Sequence, residues 1–93
     1  MTSWKIEFKQ KLKKQIIKLG KKASERIIEF LEQRIIVEKR DPRSFGEALH
    51  GNLSGLWKYR VGDYRIICEL KDNTLTVLVL EIDHRKKVYK RKK

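Results

Sequence analysis

The sequence predicts an α+β fold in the order β-α-α-β-β-β. The expected elements are an N-terminal strand, a two-helix hairpin and a three-stranded antiparallel meander, with the helices on one face of an antiparallel sheet. Apolar and polar residues alternate over residues 4–8, apolar residues recur at helical spacing from residue 8 to residue 35, and a period of two begins at residue 56. A chain of 93 residues has the size of one small domain, which we expect to span residues 1–93.

The two helices are predicted from apolar residues spaced three or four apart. These positions are Phe8, Leu12, Ile16 and Leu19 in the first helix, and Ala23, Ile27, Leu31 and Ile35 in the second. Gly20 is suited to cap the first helix, and Pro42 is expected to end the second at or before Asp41. Two amphipathic helices joined at a glycine form a helical hairpin.

The C-terminal half has the pattern of strands. Residues 41–55 form a connection that contains little able to pack, and Leu56–Val61 follows as a strand. Gly62-Asp63 is a two-residue turn with glycine first, as a type II′ hairpin prefers, and Tyr64–Leu70 returns. Thr74–Ile82 is β-branched and largely apolar, so we expect it to be a central strand buried on both faces.

The charge balance restricts the class of partner. The chain has 24 Lys+Arg and 12 Asp+Glu, a net charge of +12, which favours nucleic acid, an acidic protein or an anionic membrane. One cysteine allows no internal disulfide, and two histidines make a metal centre unexpected. The first residues contain no apolar run, so we expect no signal peptide, and no stretch approaches the roughly 20 apolar residues of a membrane span. We therefore expect a cytoplasmic protein without a cofactor or a membrane partner.

The predicted hairpin gathers three cations on one face. A two-residue loop places Arg60 directly opposite Arg65, with Lys58 on the same face. The other face, which we expect to pack against the helices, holds Trp57, Tyr59, Val61, Tyr64, Ile66 and Cys68. Opposed like charges destabilise a sheet, so this face is interpreted as a preformed anion site. The alternative is the solvated face of an ordinary basic protein.

The C-terminal segment adds further cations and one aromatic ring. Arg85 and Tyr89 are close enough to the last strand to reach the cationic face if that strand lies beside the hairpin. Cations that hold phosphates and a ring that stacks on an unpaired base suit RNA. Residues 90–93 are all basic and are interpreted as a solubilising tail.

Several segments together resemble the RelE/ParE toxin family of bacterial and archaeal toxin–antitoxin systems. They are Phe8 to Gly20 ending Lys-Leu-Gly, Leu49-His50-Gly51, the hairpin from Leu56 to Ile67, and Ile82 to Tyr89. The resemblance covers nearly the whole chain and implies a RelE-like fold. Members of the RelE branch are ribosome-dependent endoribonucleases that cut mRNA in the A site. A cognate antitoxin holds them inactive, and the complex contacts operator DNA through the antitoxin.

The resemblance also implies roles for individual residues. Lys58 matches a catalytic lysine and would be the base, while Arg65 would stabilise the phosphate. Arg60 stands where RelE-type proteins often have a second lysine, and arginine supplies charge but is not a base. Arg85 would assist the leaving group, and Tyr89 would stack on a base. The expected reaction is a metal-independent attack by the 2′-hydroxyl.

Two other functions stay open from the sequence. The ParE branch shares the fold but poisons DNA gyrase and is not a nuclease. A non-catalytic, ribosomal-type RNA-binding protein would also be this basic. His84 is a further candidate acid but is expected to be structural or surface-exposed, and Cys68 is expected to be a buried hydrophobe rather than a nucleophile.

Overall fold

The structure is a computed structural model and describes residues 4–84. The strands are β1 (Lys5–Phe8), β2 (Glu47–Ala48), β3 (Leu56–Val61), β4 (Tyr64–Lys71) and β5 (Thr76–His84). The helices are α1 (Leu12–Leu19) and α2 (Lys21–Leu31), and α2 continues as a π-helical segment, Glu32–Val37. Short 3-10 helices span Pro42–Phe45 and Gly51–Leu53. The predicted α+β order is confirmed, with one short strand added.

The five strands form one mixed sheet in the order β1-β5-β4-β3-β2. The predicted antiparallel meander of β3, β4 and β5 is confirmed. The expectation of a wholly antiparallel sheet is wrong, because β1 pairs in parallel with β5, from Lys5 opposite Thr76 to Phe8 opposite Val79. Two parallel strands need a long connection between them, and the helices and strands between β1 and β5 provide it.

The core lies between the two helices and one face of the sheet. The helical side contributes Leu12, Ile27, Leu31 and Ile35, and the sheet contributes Tyr59, Val61, Ile66, Cys68, Leu70, Val77, Val79 and Ile82. Trp57 and Tyr64 are half-buried and pack against this cluster. The predicted core face of the hairpin is therefore confirmed.

The strand β5 differs from its prediction in extent and burial. It begins at Thr76 rather than at residue 74 and continues to His84. Val77, Val79 and Ile82 are buried, whereas Leu78 and Leu80 are half-buried and Glu81 is exposed. Burial on both faces was thus a wrong expectation, because the helices cover only one face of the sheet. A register shift between Ile67 and Cys68 leaves Leu80 unpaired with β4.

The helices end near their predicted positions. Gly20 has φ +94° and separates α1 from α2, and the π-helical segment ends at Val37, before Pro42. Phe8 ends β1 rather than beginning α1. No helix within residues 4–84 is long and apolar enough to cross a membrane.

The connection over residues 41–55 packs far more than its composition predicts. Pro42 is fully buried. The ring of Phe45 lies 5.9 Å from that of Phe30 and 5.0 Å from that of Tyr59, between centroids. The expectation of a loosely packed connection is wrong, because Pro42 and Phe45 belong to no periodic pattern and pack against residues that are distant in the sequence.

Candidate active site

Lys58, Arg60 and Arg65 lie on the face of the hairpin that points away from the helices. The register pairs Arg60 with Arg65 and Lys58 with Ile67, as the two-residue loop predicts. Gly62 has φ +60° and Asp63 has no positive φ, as in a type II′ turn. Residues opposed in this way have Cβ atoms about 5 Å apart, and diagonal neighbours lie about 7–8 Å apart. The three cations therefore form one cluster, here called the cationic face.

Neither arginine of the cationic face forms a salt bridge within residues 4–84. Arg60 is exposed and Arg65 is half-buried. Asp83 is the residue opposite Arg65 on β5, but no salt bridge among residues 4–84 includes either arginine. No direct ion pair within the described residues neutralises these guanidinium groups, and an anion bound on this face would reduce the repulsion between them.

Lys58 is held by a carboxylate that the sequence analysis missed. Its side chain is 21% exposed, and its Nζ lies 3.2 Å from Oε1 of Glu47, whose side chain is 73% exposed. The two residues are opposed in the β2–β3 ladder. A two-residue strand inside a glycine-containing connection has no periodic signal, so the sequence gives no indication that Glu47 reaches the cationic face.

Tyr59 fixes the segment that carries Glu47. Its hydroxyl donates a buried hydrogen bond of 2.7 Å to the carbonyl oxygen of Pro42, and burial raises the pKa of Tyr59, so the phenol stays protonated. Gly46 lies against the same ring, where an added Cβ would be 2.6 Å from Cε1. The core residue Tyr59 therefore determines where β2 begins.

A second contact anchors this segment from its other side. The guanidinium of Arg43 donates to both carboxylate oxygens of Asp72, over 3.1 and 2.7 Å. These hydrogen bonds hold the pKa of Asp72 below its usual value. Asp41 accepts a 3.0 Å hydrogen bond from the backbone N–H of Arg43. The segment before β2 is thus tied to the β4–β5 turn as well as to the core.

His84 and Cys68 lie away from the cationic face. His84 pairs with Tyr64, and their rings meet edge to face with centroids 4.8 Å apart. This contact is on the helix side of the sheet, in agreement with a structural role. Cys68 is fully buried, and burial raises the pKa of its thiol to about 12. A protonated, enclosed thiol is not a nucleophile, which confirms the expectation for Cys68.

Two of the five predicted site residues lie outside the described residues. Arg85 and Tyr89 belong to the C-terminal segment that follows residue 84. The structure brings together Lys58, Arg60 and Arg65, and adds Glu47 to them.

Comparison with known proteins identifies the family. A model of the family described as ParE toxin of type II toxin–antitoxin system, parDE, matches residues 4–89. The chain belongs to this toxin family. Over 52 residues it is 36% identical to Toxin RelG of Mycobacterium tuberculosis, a match that covers 56% of this chain and 60% of that relative. The match thus spans less than two thirds of the length of RelG.

Solved structures of RelE-type toxins share the fold of this toxin. A RelBE toxin–antitoxin complex from M. tuberculosis is 26% identical with a TM-score of 0.75, covering 91% of this chain and 94% of the other. An archaeal RelE–RelB complex from Pyrococcus horikoshii is 23% identical with a TM-score of 0.65, covering 90% and 97%. A mutant of Escherichia coli RelE bound to an antitoxin peptide is 19% identical with a TM-score of 0.70, covering 99% and 96%. The RelE-like fold and the family resemblance are therefore confirmed.

Proposed function

We propose that this toxin is a ribosome-dependent endoribonuclease that cuts mRNA in the A site. The observation that supports the proposal most directly is the opposed pair Arg60 and Arg65, which forms no salt bridge within residues 4–84 and lies beside Lys58. A phosphodiester placed on this face would neutralise charges that otherwise repel one another. Similarity to RelE-type toxins favours the same reaction class.

The proposed chemistry is an intramolecular transfer of phosphorus between ribose oxygens. The 2′-hydroxyl loses its proton and its oxygen bonds to the adjacent phosphorus, while the bond from phosphorus to the 5′-oxygen breaks and the 5′-oxygen takes up a proton from water. The products are a 2′,3′-cyclic phosphate and a 5′-hydroxyl. Lys58 acts as the base, and Arg60 and Arg65 stabilise the charge on the phosphate. By the resemblance, Arg85 assists the leaving oxygen and Tyr89 orients the RNA by stacking.

The ion pair between Lys58 and Glu47 enters this chemistry directly. A lysine in an ion pair is an ammonium, which donates hydrogen bonds and must lose a proton before it acts as a base. The neighbouring carboxylate of Glu47 is a second proton acceptor on the same face. Substitution of each residue separates the two assignments, as set out in the Discussion.

The ribosome supplies what the cationic face lacks. His84 is not available on this face, since it packs on the opposite side of the sheet. Amine and guanidinium groups are weak acid–base devices near neutral pH. Holding the scissile nucleotide in a reactive geometry lowers the barrier by another route, and in this proposal the decoding site provides that geometry.

The toxin is proposed to act in the cytoplasm and to be neutralised by a cognate antitoxin. Relatives of the same fold have been solved in complex with antitoxins. A net charge of +12 suits an acidic partner segment. Any contact of this toxin with operator DNA is proposed to be made only through the antitoxin.

Gyrase poisoning is the second candidate function, because the matching family model carries the ParE description. Two assays on purified toxin separate the candidates. Our proposal expects primer extension to show new 5′ ends in mRNA on translating ribosomes, with gyrase supercoiling unchanged. Inhibition of gyrase with intact mRNA would support the ParE assignment. Tight RNA binding with neither effect would support a non-catalytic RNA-binding protein.

A further inference from the structure

The outward face of α1 is strongly basic and lies apart from the cationic face. Between Glu7 and Glu25 the chain has seven lysines and no acidic residue. All seven are exposed: Lys9, Lys11, Lys13, Lys14, Lys18, Lys21 and Lys22. None of them takes part in a salt bridge among residues 4–84. This charge is thus uncompensated within the described part of the chain.

The orientation of α1 is fixed by its inward face. Leu12 is 1% exposed, and Ile16 and Leu19 pack against the core. The side chain of Gln15 donates a hydrogen bond to the carbonyl oxygen of Ile82 in β5. These four residues share one side of a helix with 3.6 residues per turn, so the opposite side points outward.

An isoleucine lies in the middle of this outward face. Ile17 is 77% exposed, the largest value among the exposed large hydrophobic residues of the described chain. Lys13 and Lys14 lie one turn before it on the same face, and Lys18 follows it. The surface therefore has an apolar centre with a cationic rim, and we call these four residues the α1 patch.

An apolar centre favours a protein partner over RNA. An isoleucine has no π face on which a base could stack and no group that bonds to a phosphate. Protein interfaces, in contrast, place an apolar anchor at the centre and polar groups at the rim. The lysine rim requires that the partner be acidic.

We propose that the α1 patch is a docking surface for an acidic, amphipathic segment of the antitoxin, with an apolar side chain of that segment covering Ile17. This inference takes only one point from the proposed function, namely that the toxin has a cognate antitoxin. The helices cover one face of the sheet and the cationic face lies on the other, so the α1 patch and the proposed active site are separate surfaces. Docking at both would raise the overall affinity by making the second contact intramolecular.

The test measures the affinity of the toxin for its antitoxin by calorimetric titration. The antitoxin used is the purified protein encoded by the reading frame next to the toxin gene. We expect Ile17→Ser and the double variant Lys13→Glu/Lys14→Glu each to weaken binding by about tenfold or more. Val37→Ser is the matched control, because Val37 is 64% exposed and lies outside the α1 patch, at the end of the π-helical segment that continues α2. Binding by Val37→Ser should stay within about twofold of wild type.

A second titration uses a 5′-labelled oligouridylate to represent the competing class of partner. The proposal expects Ile17→Ser to bind this RNA as wild type does, with an unchanged melting temperature and unchanged mRNA cleavage. It is overturned if the lysine reversals weaken RNA binding while every variant keeps wild-type affinity for the antitoxin. Absence of antitoxin binding by wild-type toxin would overturn the partner assignment itself, and the docking surface with it.

Discussion

The Nζ atom of Lys58 lies 3.2 Å from Oε1 of Glu47. The two residues are opposed across the β2–β3 ladder, and β2 is held in place by contacts with Tyr59 and Asp72. The ion pair is therefore a built feature of the site rather than an accidental surface contact. It places a carboxylate beside the lysine to which we assign proton removal.

The first prediction separates the two proton acceptors. Lys58→Met is expected to reduce cleavage at saturating ribosome concentration by about 100-fold or more, because it removes the base. Glu47→Gln is expected to keep cleavage within about tenfold of wild type, because an amide removes the negative partner of Lys58 but leaves the lysine in place. Single-turnover cleavage of ribosome-bound mRNA between about pH 6 and pH 9 measures both. If Glu47→Gln loses as much activity as Lys58→Met, then Glu47 is the base and our assignment of Lys58 is wrong.

The second prediction is that replacing one of the opposed arginines raises stability and lowers activity. Arg60→Gln removes one of two like charges, so we expect the free energy of unfolding to rise by up to about 1 kcal/mol and cleavage to fall by about 100-fold. Urea unfolding and primer extension measure the two effects. Lys71→Gln is the control, since Lys71 is an exposed cation at the far end of β4. Equal changes in both variants would support the interpretation of Arg60 as part of an ordinary solvated face.

The third prediction tests the packing that positions Glu47. Gly46→Ala would bring a Cβ to 2.6 Å from the ring of Tyr59, so the connection or the ring must shift. We expect a loss of about 1–3 kcal/mol in stability. Tyr59→Phe keeps the ring but loses the hydrogen bond to Pro42, at a cost of about 1 kcal/mol. Thermal unfolding of both variants provides the check, and a Gly46→Ala protein as stable as wild type would contradict the described packing.

The fourth prediction is a loss of stability in alkaline solution. The pKa of the Cys68 thiol is raised from 9.0 to about 12 in the fold, so above pH 9 the unfolded chain releases a proton that the folded chain retains. The contribution of this thiol to the free energy of unfolding is therefore fully present below pH 9 and is lost as the pH rises. The loss amounts to about 2 kcal/mol at about pH 10.5. Urea midpoints at pH 8 and about pH 10.5 measure the slope. Cys68→Ala should show a smaller loss over the same interval, and an identical slope would contradict the assignment.

Sequence pattern predicts those parts of this fold whose residues repeat with a period. The β3–β4 register follows from one two-residue turn and fixes Arg60 opposite Arg65, because alternation along a strand leaves only two faces. The amphipathic helices and the cap at Gly20 follow in the same way. These local rules were sufficient to assemble the cationic face.

The remaining features depend on contacts between distant residues. Neither the burial of Pro42 under Tyr59 nor the ion pair between Arg43 and Asp72 has a local signature. Glu47 reaches Lys58 only because those contacts place β2. The parallel pairing of β1 with β5 likewise joins the two ends of the described chain, beyond the range of any periodic pattern.

The most direct test of the account is primer extension on mRNA from translating ribosomes exposed to wild-type toxin, Arg65→Ala or Arg85→Ala. We predict new 5′ ends within codons at the A site with wild-type toxin, their near disappearance with either variant, and no cleavage of the same mRNA without ribosomes. Uncut mRNA with wild-type toxin, or equal cleavage by wild type and Arg65→Ala, would contradict the proposal that the cationic face is the site of RNA cleavage.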